Sequence, residues 1–267
     1  MRIDLNCDMG EGFGRYAIGQ DAEVMPLISS ANVACGFHAS DPGTMHRTVK
    51  LAKEYGVAVG AHPSFPDRVG FGRREMSASP AEIRDDVIYQ LGALLAFCKA
   101  EGVSLRHVKP HGALYNLAAR DIEVATEIAA AVRSVDLSLY LVGLCGSALA
   151  AAARGAGLKF AAEAFADRGY GKDGRLVSRR EAGAVLDDPG VVAERVVRMV
   201  RDGEVTAVDG TGISIDPKTV CVHGDTPGAV TLLRAIRRRL ELERIEVKSF
   251  SGQRRREPPS EGKERRR

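Results

Sequence analysis

Residues 2–8, Arg2-Ile3-Asp4-Leu5-Asn6-Cys7-Asp8, carry the pattern that decides the fold. Side chains alternate along a strand, so residues two apart share a face. Ile3, Leu5 and Cys7 make an apolar face, and Asp4, Asn6 and Asp8 make a polar one. The apolar face should meet a surrounding layer of helices, which turns the polar row toward the interior of a barrel. Barrel interiors are ordinarily filled by branched apolar side chains. Three polar groups in a row must be paired there, because an unpaired buried polar group is costly. Such a departure from the packing rule marks a site.

Outward from this segment, short apolar runs alternate with helical stretches. Strands are predicted at about 2–8, 31–37, 57–62, 105–111, 138–144, 158–164 and 219–224, and helices near 42–55, 80–101, 121–133, 147–155, 189–202 and 227–242. Ser79-Pro80-Ala81-Glu82 has a capping serine, proline at the first helical position and glutamate three residues after the cap. Asp41-Pro42 and Asp188-Pro189 repeat the start signal, and Gly56, Gly102 and Gly203 sit where helices should stop. Ile83, Val87, Leu91, Leu94 and Leu95 recur at helical spacing. Strand-helix alternation implies a parallel sheet, and no GxGxxG follows the first strand to suggest a dinucleotide fold. The expectation is an α/β protein with a seven-stranded, TIM-like (β/α) barrel. Val205–Ile215 reads as a hairpin turning near Asp209-Gly210, an excursion before the last barrel strand. Without a repeat or a Pro/Gly-rich linker, residues 1–252 are expected to form one domain.

The bulk properties are those of an ordinary globular protein. The chain has 267 residues, 45% hydrophobic and 27% charged. No apolar run has the length of a membrane span, and the N-terminus lacks a signal-peptide core. Five scattered cysteines without a CxxC argue against a disulfide framework or a zinc knuckle. A cytoplasmic protein without a membrane partner is therefore expected. The net charge of +3 is misleading, because residues 253–267 alone contribute +4 and leave the first 252 at −1. A nearly neutral body excludes a broad nucleic-acid footprint. The basic segment 253–267 reads as a disordered tail.

In such barrels the reacting groups project from the C-terminal strand ends. His38, His62, His111 and His223 fall at or just after such ends. In the fourth strand His107, Lys109 and His111 share a face. The i, i+4 histidines would stand about 13 Å apart on a strand, too far for one metal. Lys109 and His111 are therefore placed near the rim and His107 at the bottom. Cys221, His223 and Asp225 share a face of the last strand, and Glu163 ends the sixth. Together Asp8, Asn32, His38, His62, Lys109, His111, Glu163, His223 and Asp225 suggest one polar pocket. Glycine-rich loops flank it: Gly10-Glu11-Gly12-Phe13-Gly14 after the first strand, and residues 62–75 after the third. Arg68, Arg73, Arg74 and Arg168 are candidates for clamping a carboxylate or phosphate.

These segments are similar to the LamB/YcsF family. The matching stretches are DLNCDMGEGFG (4–14), SANVACGFHASDP (30–42), GAHPSFPDRVGFGRR (60–74), RHVKPHGALYN (106–116), EAFADRGY (163–170) and CVHGDTP (221–227). The resemblance implies a barrel of the glycoside hydrolase/deacetylase type and a role as the A subunit of 5-oxoprolinase. That enzyme hydrolyses 5-oxo-L-proline to L-glutamate with ATP, and the A chain works with subunits B and C. ATP is thus an implied cofactor, with a divalent metal such as Mg2+ as its complex. The deacetylases hold a metal with one aspartate and an HxxxH pair, whereas the only HxxxH here, His107 to His111, lies on a strand. The metal ligands stay unassigned.

Opening an unreactive lactam needs a base for water, donors for the developing oxyanion and an acid for the leaving nitrogen. The candidate bases are Asp8 and Glu163, the oxyanion stabilisers Lys109 and His111, and the acids His62 and His223. Glu11, Asn32, His38 and Asp225, with Arg68, Arg73 and Arg168, are candidates for holding substrate. Gly171-Lys172 is no Walker motif. Cys221 is an alternative nucleophile. A free-standing metal-dependent deacetylase or amidohydrolase, and a non-catalytic carboxylate-binding module, are the other classes these residues admit.

Overall fold

The computed structural model describes residues 1–226 and 228–252, so the basic segment 253–267 lies outside the described residues. The chain opens with β1 (Arg2–Met9), a short α1 (Asp21–Val24) and a single 3-10 turn at Met25–Leu27. Then follow β2 (Ser30–Ala34), α2 (Pro42–Tyr55), β3 (Ala58–His62), α3 (Pro80–Glu101), β4 (Leu105–Val108), α4 (Gly112–Arg120), α5 (Ile122–Val135), β5 (Tyr140–Leu144), α6 (Ala148–Gly155), β6 (Lys159–Phe165) and α7 (Pro189–Arg201). The hairpin expected near 205–215 is present as β7 (Glu204–Thr206) and β8 (Gly212–Ser214), paired antiparallel. The chain continues with β9 (Thr219–Cys221), α8 (Ala229–Leu242) and β10 (Glu246–Val247).

Strands β1 to β6 pair in sequence order and all in parallel; β9 then pairs with both β6 and β1, closing a seven-stranded ring. The start signals act as expected. Ser79 and Glu82 form a reciprocal capping box, and the carboxylates of Asp41 and Asp188 accept the amides of Thr44 and Val191. Gly56 and Gly102 end α2 and α3 in the left-handed conformation, at φ 63° and 66°. On α3, Ile83, Val87, Leu91 and Leu94 are buried, whereas Leu95 is exposed.

The inner row of β1 is paired throughout. Asp4 takes hydroxyl bonds from Ser29, Ser30 and Thr219. Burial nevertheless pushes its carboxyl up to about 6, against the lowering effect of those hydroxyls. Below this row the C-terminal segment closes the barrel. β10 pairs with Arg2 and Ile3, the Ser249 hydroxyl meets that of Ser30 at 3.2 Å, and the Phe250 ring lies against His107 and Tyr140.

The fourth strand departs from expectation. Its regular pairing ends at Val108 rather than near 111, because Pro110 has no N–H for the ladder. Extended backbone persists, with the Lys109 and His111 amides donating to Ala61 and Pro63, so Lys109 and His111 still face inward. Immediately after it lies α4, a helix absent from the sequence-based expectation, which buries Ala113, Leu114, Tyr115 and Ala118.

Candidate active site

The Lys109 ammonium lies at the centre of the barrel. It stands 3.0 Å from Asp8 Oδ1, 2.9 Å from Glu163 Oε1, 3.2 Å from Asn6 Oδ1 and 3.1 Å from Cys221 Sγ. Burial disfavours the cation, but the charges of Asp8 and Glu163 outweigh it and hold Lys109 well above its ordinary pKa. Burial likewise works against an ionised Asp8, yet His62 and Lys109 keep it well below the usual carboxylate range. Asn32 reinforces this, donating to Asp8 Oδ1 at 2.9 Å while its own carbonyl oxygen lies 2.8 Å from His107 Nε2. His107 is accordingly at the barrel bottom, below Lys109.

Three further histidines gather beside Asp8. His62 Nε2 is 3.3 Å from Asp8 Oδ1 and 3.0 Å from His111 Nδ1. His38 Nε2 is 3.1 Å from Glu11 Oε1, and the His38 and His111 rings stack with centroids 3.8 Å apart. Burial pushes the His38 and His111 imidazoles well below their ordinary pKa and the Glu11 carboxyl well above its own; Asp8 adds to the Glu11 shift.

Across the cavity, His223 Nδ1 lies 2.9 Å from the buried Asp167 carboxylate, and its ring stacks on Phe165. An ionised carboxylate only accepts, so His223 carries a proton on Nδ1 and turns Nε2 the other way. Burial opposes ionisation of Asp167, but His223 and Arg179 hold its pKa below the ordinary value.

These walls enclose a cavity of about 570 Å³ lined by Asp8, His62, Lys109, His111, Tyr115, Phe165 and His223. Arginines crowd its mouth: Arg73 and Arg74 from the β3 loop, Arg120 from α4, and Arg168, Arg175, Arg179 and Arg180 from the segment after β6. Arg168 is buried against the carbonyls of Ala184 and Val177; burial and Arg179 bring it down to about 10.

The sequence-predicted residues divide by position. Asp8, His62, Lys109, His111, His223, Arg73 and Arg168 line the cavity. Asn32 stands behind Asp8, and Glu11 and His38 behind the other two histidines. Glu163 is fully buried between Lys109 and Asn6 and does not line the cavity, so Asp8 alone of the two candidate bases reaches it. Arg68 is no clamp: its guanidinium bonds the carbonyls of Gly36 and Ser40 and stacks on Phe13. Asp225 meets the mouth only through Arg73, 2.6 Å away. Cys221 is buried outside the cavity lining, and burial drives its thiol well above its ordinary pKa, which disfavours the thiolate a nucleophile needs. Asp167, Tyr115 and the arginines at 175, 179 and 180 escaped the sequence reading; their side chains converge only through tertiary structure.

Among the described residues, two groups of donors could hold a cation: Glu11, His38, His62 and His111, and separately Asp8, Cys221 and His223. In the second, the Lys109 ammonium sits against both Asp8 and Cys221 and repels a cation.

Fold and site define a β/α-barrel protein with a buried cluster of acidic and basic side chains under a cationic mouth. The chain belongs to the LamB/YcsF family, which it matches over residues 3–255. It is 53% identical over 253 residues to the 5-oxoprolinase A subunit of Syntrophobacter fumaroxidans, covering 95% of this chain and all of that one. It is 56% identical over 246 residues to the corresponding A subunit of Symbiobacterium thermophilum, covering 92% and 94% of the two chains. The crystal structure of a lactam utilization protein from Thermus thermophilus superposes with a TM-score of 0.89 at 51% identity, covering 94% of this chain and 100% of that one.

Proposed function

We propose that this chain is the A subunit of a cytosolic 5-oxoprolinase, which opens the ring of 5-oxo-L-proline to L-glutamate with ATP, together with subunits B and C. The observation that carries this is the near-complete overlap, at more than half identity, with proteins bearing that subunit name.

Amide resonance protects a five-membered lactam from water. Transfer of the ATP γ-phosphoryl group to the lactam oxygen makes the ring carbon electrophilic. Water then adds, the C–N bond breaks with a proton going to nitrogen, and a second water cleaves the γ-carboxyl phosphate to glutamate and phosphate. Mg2+ accompanies the nucleotide. The chain has no Walker motif, so ATP is read as binding either an unconventional site here or a site completed by the partners.

The residues of this chain fit the later steps. His223 Nε2, with the ring fixed by Asp167, takes a proton from water and returns one to the leaving nitrogen. Asp8 stays ionised and accepts no protein hydrogen bond on Oδ2 among the described residues, so it orients water or the substrate N–H. His62 and His111 line the same cavity and can meet the substrate carbonyl there. Lys109 spends its three N–H groups on protein acceptors; it sets the charge of the floor rather than donating to an oxyanion. The cationic mouth attracts the substrate carboxylate and the phosphoryl oxygens, although Arg168 already bonds the Ala184 and Val177 carbonyls and Arg73 pairs with Asp225.

The test is glutamate release from 5-oxoproline with ATP, using this chain with and without subunits B and C. Turnover is expected only from the complete set. No glutamate from the complete set rejects the reading, and ATP-independent hydrolysis by this chain alone would make it a free-standing amidohydrolase.

A further inference from the structure

The hydrogen bonds around the four-residue group beside Asp8 fix where its protons lie. His62 Nδ1 is 2.7 Å from the Lys109 carbonyl, and His111 Nε2 is 2.9 Å from the Phe71 carbonyl. Carbonyl oxygens only accept, so each of those nitrogens carries the proton. His38 Nδ1 is 2.9 Å from Ser64 Oγ, and that hydroxyl already donates to the Phe65 carbonyl, so His38 donates from Nδ1. All three rings therefore turn their second nitrogen toward the same space, where Glu11 Oε1 also points and Asp8 Oδ1 stands 3.3 Å from His62 Nε2. Without further protons these atoms face one another as acceptors: His62 Nε2 to His111 Nδ1 at 3.0 Å, His38 Nε2 to Glu11 Oε1 at 3.1 Å, and His111 Nδ1 to Glu11 Oε1 at 3.7 Å. All four atoms lie within 4.8 Å of one another and all four residues are buried. Such a cluster needs electrophiles between its members. Two protons satisfy it, and so does one dication.

We propose that Glu11, His38, His62 and His111 bind one divalent transition-metal ion of the zinc class. Three imidazoles and a carboxylate are the donor set for such an ion, and bonds of about 2.0–2.1 Å in a tetrahedron put neighbouring donors about 3.3–3.4 Å apart. Three of the six donor separations, at 3.0, 3.1 and 3.7 Å, lie near that spacing, and the others are within 4.8 Å, so the donors must draw together around an ion. Metal-bound histidines characteristically donate their other N–H to a carbonyl or similar acceptor, as all three do here. The Phe71 carbonyl is held in place by a backbone at φ 56°, a left-handed conformation that strains a non-glycine residue. The stacked His38 and His111 rings lie only 7° from parallel, so an ion bound to both requires one ring to tilt. Seated there, the ion would adjoin His62 and His111 at the cavity wall and could polarise a carbonyl or acidify a water.

This inference stands on the hydrogen-bond geometry and not on the 5-oxoprolinase reading. The full chain is stripped with a chelator and titrated with ZnCl2, with metal content, melting temperature and proton release measured together. The expected result is one zinc per chain, a raised melting temperature and about two protons released per ion. His62→Ala and His111→Ala should abolish stoichiometric binding with the circular dichroism retained. Ser64→Ala removes no ligand and should weaken binding by about 10–100-fold through loss of the His38 orienting bond. Binding well below one ion per chain overturns the proposal. So does stoichiometric binding that persists in the histidine variants; if those variants do not fold, unaltered affinity in Ser64→Ala overturns it instead.

Discussion

Replacing Lys109 by methionine keeps the length of the side chain and removes its charge. In the native barrel the ammonium holds Asp8 at 3.0 Å and Glu163 at 2.9 Å, with all three side chains buried. The variant leaves two carboxylates enclosed without their shared counter-charge. Removing one partner of a buried ion pair costs about 3–5 kcal/mol. In a domain of this size each kcal/mol lowers Tm by about 2–4 °C, which predicts a fall of about 6–20 °C. The deficit should also depend on pH. The native Asp8 pKa is depressed, so its stabilising contribution is present above about pH 4 and is lost as pH falls further. In the variant the crowded carboxylates bind a proton more readily than in the unfolded chain, so the variant gains relative stability on acidification. The two stability curves should therefore converge between about pH 8 and pH 4. Thermal melts followed by circular dichroism across that range provide the assay, and Lys109→Met combined with Glu163→Gln should recover much of the loss. A single variant within about 1 kcal/mol of wild type at pH 8, with no pH-dependent gap, would refute the view that Lys109 neutralises two buried acids.

Three other outcomes follow from named contacts. His223→Ala should lower kcat in the complete, ATP-supplied enzyme by about 10²–10⁴, with Asp167→Asn showing a smaller loss and a shifted pH profile; unchanged kcat in both removes the pair from proton transfer. Gly60→Ala places a methyl carbon 2.1 Å from His107 Nε2, whose ring is held by Asn32 and Phe250, and should cost about 3 kcal/mol or more in a urea melt. Asp41→Ala should cost about 1 kcal/mol at neutral pH through the lost cap of α2. Asp41 has its pKa lowered to about 2 by the Gly14 and Thr44 amides, so that contribution exists above about pH 4 and disappears as pH falls toward 2; a pH-independent difference would contradict the capping role.

What the sequence by itself determined lies in short-range signals. The alternation in residues 2–8 identified the inward polar row because strand periodicity needs only neighbours along the chain. Ser79 with Glu82, Asp41 with Pro42 and Asp188 with Pro189 located helix starts for the same reason, since a cap is satisfied within three residues. Strand order and strand ends then brought Asp8, His62, Lys109, His111 and His223 to one cavity. Tertiary structure alone decided which of these groups touch. Glu163 lies opposite Thr219 in the register of β6 with β9, and β9 beside β1 brings it to Lys109 instead of the cavity. The pairing of Asp167 with His223 spans 56 residues, and the closure of the barrel floor by Phe250 against His107 joins the chain's end to its fourth strand. Arg68 looked free to clamp an anion until the fold placed the Gly36 and Ser40 carbonyls within its reach. Periodicity tells which way a side chain faces; only the closed ring, by setting register and loop paths, tells what it meets there.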